Sequence, residues 1–284
     1  MRKIGIQTGE FFGCKDYAEG FELIKRSGFE CIDYAGLLDP KSELGMLSLS
    51  ELEAKMREIK LAADNAGIPV YQMHGPWTAP VTNNTPEERR AWCDYAKKCI
   101  LASAELGSPR YVVHPIMPFG VRGKEDPAFV YETNREFLSD ICECAKTVGV
   151  NVCYENMPFP WMTVYSPKHI YDIVKELALD NLKICLDTGH SLIAEVQPAD
   201  AVRELGSTIE AFHVHDNFGD VDRHLAPFAG KTDWDAFASA IRECVPESVP
   251  LILETAPSIK MGGDVFEYFL KGYAMIAARL AGRE

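Results

Sequence analysis

Short, β-rich apolar runs recur along the chain, each giving way to a longer segment whose apolar positions repeat every three or four residues. The runs are 3–9 (KIGIQTG), 31–36 (CIDYAG), 69–75 (PVYQMHG), 110–115 (RYVVHP), 151–157 (NVCYENM), 182–188 (LKICLDT), 210–216 (EAFHVHD) and 250–255 (PLILET). Between them the pattern predicts helices over 50–67, with Ser50 as cap and Gly67 as stop, and over 85–107, with Thr85 as cap and Pro86 in the first turn. Two further helix starts are predicted at Ser166 and Thr232. Strict strand–helix alternation predicts parallel strands joined by right-handed crossovers. Eight repeats, with polar residues at nearly every strand end instead of at one switch point, predict a closed (β/α)₈ TIM barrel, class α/β, formed as a single domain over residues 1–284.

The strand ends carry metal-capable side chains. His74 follows the third strand, His114 the fourth, Glu155 lies on the fifth, Asp187 and His190 on the sixth, and Glu254 on the eighth. The seventh opens FHVHDNFGDVDRH, residues 212–224. Six of the seven histidines (74, 114, 190, 213, 215, 224) belong to this set, and only His169 lies on a predicted helix. Any one of them is explained by a strand-end imidazole satisfied by backbone; six converging on one barrel mouth with several carboxylates point to a divalent cation, Zn²⁺ or Mn²⁺. Strand periodicity puts His213 and His215 on one face and does not choose between them. Gly219 then turns the chain so that Asp222 and His224 can return toward the mouth, while Asp220 reads as a solvated loop charge.

A formal charge of −13 disfavours nucleic acid as a partner, because affinity for phosphate backbones comes from Lys and Arg. Nine cysteines, an odd number with no CxxC spacing, predict reduced, buried thiols. No leader-like segment and no apolar run of about 18 residues is visible, so a cytoplasmic protein without a membrane span is expected.

In order and spacing these motifs resemble the xylose isomerase-like TIM barrels, a superfamily that holds sugar isomerases and epimerases together with endonuclease IV. The resemblance implies a metal core of Glu155 (VCYENMP), Asp187 (CLDTGH), His213 (FHVHD) and Glu254 (LILETAP). It selects His213 through the pattern H-x-x-D, completed by Asp216, and leaves His215 as a supporting or substrate-facing residue. The endonuclease branch extends the set to nine ligands and three zinc ions, and its additional positions match His74, His114, His190, Asp222 and His224. The match breaks after His224, where LAPFAGKTDW replaces a glycine-rich turn, and after the third strand, where GPWTAPVTN replaces the residues that wedge DNA apart.

The resemblance therefore implies, first, a metal-dependent isomerase or epimerase of a sugar or sugar phosphate, working through an enediolate with one to three metal ions. In that reading Glu155 and Glu254 are the acid/base pair, His190 binds a hydroxyl and Trp77 forms an apolar wall. Arg223 and Lys231 are the candidate cations for a substrate phosphate, and a homo-oligomer is compatible with everything above. The alternative is an endonuclease IV-like phosphodiesterase with a three-metal site, in which both glutamates are ligands.

Overall fold

The structure is a computed structural model and describes residues 1–9, 16–77, 85–116 and 126–283. Cys14 and most of the segment after Trp77 lie outside the described residues. In chain order the elements are β1 (Ile4–Gln7), α1 (Tyr17–Arg26), β2 (Cys31–Tyr34), α2 (Glu43–Met46), α3 (Leu49–Asn65), β3 (Val70–His74), α4 (Pro86–Leu106) and β4 (Arg110–Val113). There follow α5 (Pro127–Thr147), β5 (Asn151–Glu155), α6 (Pro167–Leu177), β6 (Leu182–Asp187), α7 (Thr188–Ile193), α8 (Pro198–Leu205), β7 (Ile209–His213), α9 (Trp234–Cys244), β8 (Leu251–Leu253) and α10 (Gly263–Leu280).

All eight expected strands form one parallel sheet in the order β7-β6-β5-β4-β3-β2-β1-β8. Closure comes from the residue after β7: Val214 donates to Ile252 at 2.8 Å and accepts from Glu254 at 3.1 Å. The strands are short apolar runs because both their faces are covered, by the barrel interior and by the helices. Val112, Cys153, Cys185 and Ala211 form a buried cluster of small side chains. Each lies two residues before His114, Glu155, Asp187 and His213 respectively, so strand alternation stacks a dry floor directly beneath a polar mouth.

Helix ends follow the expected chemistry with two shifts. Thr85 and Glu88 make a reciprocal capping box and Gly107 stops α4 in the left-handed conformation. The cap of α3 is Ser48 and not Ser50, because Glu51 stands three residues after Ser48 and bonds back to its backbone. The cap of α9 is Asp233 and not Thr232, whose hydroxyl is turned to Asp216 instead. The eight described cysteines are all free, and no described helix is long and apolar enough to cross a membrane.

The end of the barrel opposite the mouth is sealed by Arg2. Its buried guanidinium donates to the carbonyls of Pro246 (3.1 Å), Ile241 (2.9 Å), Val245 (3.0 Å) and Val249, gathering carbonyls from the last turn of α9 and the segment that follows it. Arg2→Met keeps the apolar stem but takes the guanidinium from the buried carbonyls of Val245 and Val249, while those of Ile241 and Pro246 keep a backbone donor. We expect a loss of roughly 2–4 kcal/mol, read as a fall of about 5–10 °C in Tm. A change below about 2 °C would show that the guanidinium contributes no more than a surface side chain.

Candidate active site and metal centre

The strand-end residues converge. Among the described residues, donor atoms of His74, His114 and Glu155 lie within 4.8 Å of one another, as do those of His74, His213 and Glu254, of Asp187, His190 and His215, and of His215, Asp222 and His224. Glu155 is central: His213 Nδ1 lies 2.8 Å from its Oε1, and His114 Nε2 3.0 Å from its Oε2. His213 Nδ1 is also 3.5 Å from Glu254 Oε2. His74 Nε2 stands 3.9 Å from Glu155 and 3.8 Å from Glu254. His169, on α6, is elsewhere and bonds the backbone of Tyr165.

The orientation of the imidazoles is set from outside the cluster. His74 Nδ1 meets the Gly75 carbonyl at 2.7 Å, His190 Nδ1 the Asn156 carbonyl at 2.7 Å, and His224 Nδ1 the Glu254 carbonyl at 2.7 Å. A carbonyl only accepts, so each of these nitrogens carries its proton and Nε2 presents its lone pair inward. His213 is held the other way round, Nε2 donating to Asp33 at 2.9 Å and Nδ1 facing Glu155. A lone pair 3 Å from a carboxylate oxygen is tolerated only with a proton or a cation between them. Glu254 Oε2, His114 Nδ1 and His215 Nδ1 are moreover buried without a hydrogen-bond partner. Imidazoles tethered outward and carboxylates turned inward form a donor set that could hold a divalent cation.

The electrostatics agree. Burial works against a proton on His213, yet Cys185, Glu155, Glu254 and the bond to Asp33 hold its pKa well above the usual imidazole range. His190 is raised to about 9 by Asp187 and Asp222 in spite of burial, and His224 to about 10 by Asp222 and Glu254. Burial opposes ionisation of Glu155, but His213 and His114 bring its pKa well below the carboxylate range, whereas burial pushes Glu254 up to about 7. His74, the imidazole crowded by His114 and His213, is lowered to about 4, with burial the main cause. The mouth as a whole attracts positive charge.

A strap formed by residues 214–233 brings Asp222 and His224 to the mouth. Asp216 is its anchor: Oδ1 accepts from Asn217 N, Thr232 N and Thr232 Oγ1, and Oδ2 from Gly230 N (2.8 Å) and Trp234 Nε1 (2.9 Å). A Cβ at Gly230 would stand 2.3 Å from the Asn217 carbonyl and 2.5 Å from Asp216, so only glycine lets the strap close on that carboxylate. At the tip, His224 adopts a left-handed φ of 46°, uncommon for a residue other than glycine. That conformation sets its Nε2 3.0 Å from Asp222 Oδ2, the same oxygen that faces His190 Nε2 at 3.3 Å. Asp220 and Arg223 pair with each other at 2.6 Å on the exposed side of the strap, and Lys231 is exposed.

The mouth holds two adjoining cavities of about 210 and 300 Å³ that share Gln7, His224 and Glu254, at the small end of the range for small-molecule sites. Trp77 forms one wall, edge-on to His114 with ring centroids 6.0 Å apart and stacked on Phe159 at 6.2 Å.

Residues 21–270 match the model of the xylose isomerase-like TIM barrel family. The chain belongs to that family. Among its relatives is the D-psicose 3-epimerase of Ruminiclostridium cellulolyticum, 24% identical over 88% of this chain and 81% of the relative. The fold is shared with the 3-keto-D-glucoside 4-epimerase YcjR of E. coli, with a TM-score of 0.76, 17% identity, and 98% and 100% of the two chains covered. It is shared also with the IolI protein, solved with a bound zinc atom, with a TM-score of 0.72, 17% identity, and 98% and 96% covered.

Within this xylose isomerase-like barrel, several site residues escaped the reading of the sequence. Asp33, on β2, orients His213 and also accepts from Gln72 Nε2 at 3.2 Å. Gln7, at the end of β1, donates to Glu254 Oε1 at 2.6 Å. Asn156 clamps Asp187, donating to its carbonyl and accepting from its N–H. The available signal was polarity inside otherwise apolar runs: an acid in CIDY and glutamines in IGIQ and VYQMH have no reason to be there unless their partners are also buried.

Two predictions follow from this geometry. Asp33→Ala frees His213 to rotate while sparing the atoms that face the cation, so affinity for Zn²⁺ or Mn²⁺ should fall about 10- to 100-fold in a chelator competition; an unchanged affinity would remove Asp33 from the supporting shell. Asp216→Ala should release the strap without touching the donors on β3 to β5, seen as faster amide exchange over residues 217–232. Exchange unchanged there would mean that the strap is held by other contacts.

Proposed function

We propose that this protein is a metal-dependent sugar isomerase or epimerase that moves a proton next to a carbonyl through an enediolate. The observation that carries the reading is the placement of Glu155 and Glu254 around one outward-tethered imidazole, His213, inside a mouth of small-molecule size. Glu155, Asp187, His213 and Glu254 are the residues that would hold the cation, Zn²⁺ or Mn²⁺, which when bound polarises the carbonyl and hydroxyl oxygens of an open-chain sugar. One of the two glutamates takes the proton from the carbon beside the carbonyl and the other delivers a proton to the intermediate. His190, fixed by Asn156 and Asp187, is placed to bind a substrate hydroxyl. Trp77 and Phe159 supply the apolar wall against which the carbon face of a sugar packs and from which water is excluded.

The lining supports a free sugar over a sugar phosphate. Among the described residues no lysine or arginine borders either cavity, and Arg223 is already engaged by Asp220. The D-psicose 3-epimerase among the relatives points to the same substrate class. One observation favours the phosphodiesterase reading: His190, Asp222 and His224 meet on one oxygen, a donor group separate from the core four.

Incubation of the metal-loaded protein with D-fructose and other free ketoses in D₂O should place deuterium on the carbon beside the carbonyl. Glu155→Gln and Glu254→Gln should each lower that exchange by about 10²- to 10⁴-fold. Absence of exchange on every keto sugar, together with three metal ions per chain and cleavage of a simple phosphodiester, would overturn the proposal in favour of the nuclease-like chemistry.

A further inference from the structure

The outer face of α10 is apolar and uncovered. Val265 (50% exposed), Tyr268 (75%), Phe269 (44%) and Met275 (73%) project from it, while Phe266, Leu270, Ala274 and Ala277 on the opposite face are buried against the barrel. At 100° per residue, the exposed side chains and Ile276 fall on a stripe centred on Gly272. This glycine is unexplained by the fold: it has no left-handed φ, and a Cβ added to it meets nothing within 4 Å. Glycine is the poorest helix former after proline, and an interior glycine that its own chain does not require leaves room for another backbone to come close.

We infer that α10 is the interface of a homodimer, in which two copies of the helix cross antiparallel at Gly272. A two-fold axis through Gly272 sets each residue n positions before it against the residue n positions after it in the partner. Phe269 then meets Met275, Tyr268 meets Ile276, and the stem of Arg279, whose guanidinium lies 5.3 Å from the Phe228 ring of its own chain, covers Val265. Charge fits the same pairing. Asp264 lies eight residues before the axis and Arg279 seven after it, about 12 and 10 Å away along the helix, so acid and base of opposite copies face each other. Glu267 is already neutralised within the chain by Arg26 at 3.1 Å and Lys271 at 2.9 Å. The helix carries two acids (Asp264, Glu267) and two bases (Lys271, Arg279), hence no net charge, on a chain of −13. Two copies that repel elsewhere can approach along this stripe. A helix about 27 Å long supplies an interface at the small end of the size range.

Sedimentation velocity on the full chain from about 1 to 100 µM should show a monomer converting to a species of twice the mass. Phe269→Asp and Gly272→Leu should each weaken self-association at least about tenfold. At Gly272 a Cβ meets no atom of its own chain and the glycine is a poor helix former, so the Tm of Gly272→Leu at low concentration should equal or exceed that of the parent, which separates a lost interface from a lost fold. Leu61→Asp, at a 61% exposed position of α3, should leave the dimer intact. A monomer at every concentration, a Gly272→Leu variant that dimerises as tightly as the parent, or equal disruption by Leu61→Asp would each overturn the inference.

Discussion

Asp33, Glu155 and Asp187 are fully buried carboxylates within one end of a barrel, and taking such groups out of water costs several kcal/mol apiece unless compensating charge is close. Much of the rest of the structure meets that demand. Seven strands deliver either an acid or an imidazole to the mouth, backbone carbonyls fix three of the histidines, and the strap is folded so that Asp222 and His224 complete the ring. The arrangement is balanced only with protons or cations in it. A site that must hold positive charge in order to be stable is also one that can polarise the oxygens of a sugar.

The barrel separates this demand from its own stability. Beneath the polar ring lies the layer of Val112, Cys153, Cys185 and Ala211, and at the far end the Arg2 guanidinium gathers carbonyls from the end of α9. Asp216 belongs to neither group. Its five accepted hydrogen bonds make it an anchor for the strap, which holds His224 in its left-handed conformation. Gly189 has a comparable role in the ring: a Cβ there would stand 2.0 Å from His215, so the missing side chain is what lets that imidazole lie beside Asp187.

Eight strands and the long helices were legible because their periods are set by local geometry, and the strand ends because alternation forces polar residues there to share one mouth. Among the helix starts, two caps shifted by one or two positions. Ser50 yields to Ser48 although each has a glutamate three residues on, because Glu51 bonds back to the Ser48 backbone and closes a reciprocal box, and Thr232 yields its capping place to Asp233 because its hydroxyl is recruited by a residue sixteen positions earlier.

What the sequence by itself determined is the alternation that builds the barrel and the inventory of imidazoles and carboxylates at its mouth, since both follow from side-chain spacing along a single strand. Its spacing left His213 and His215 equivalent, two residues apart on one face. Tertiary structure separates them. His213 lies between Glu155, Glu254 and Asp33, from β5, the end of β8 and β2, while His215 turns to Asp187 and stacks on His224 at 4.2 Å. The physical reason is that a ligand's role depends on which other strands face it across the barrel, and those contacts, up to 180 residues apart in the chain, are settled only when the sheet closes on itself.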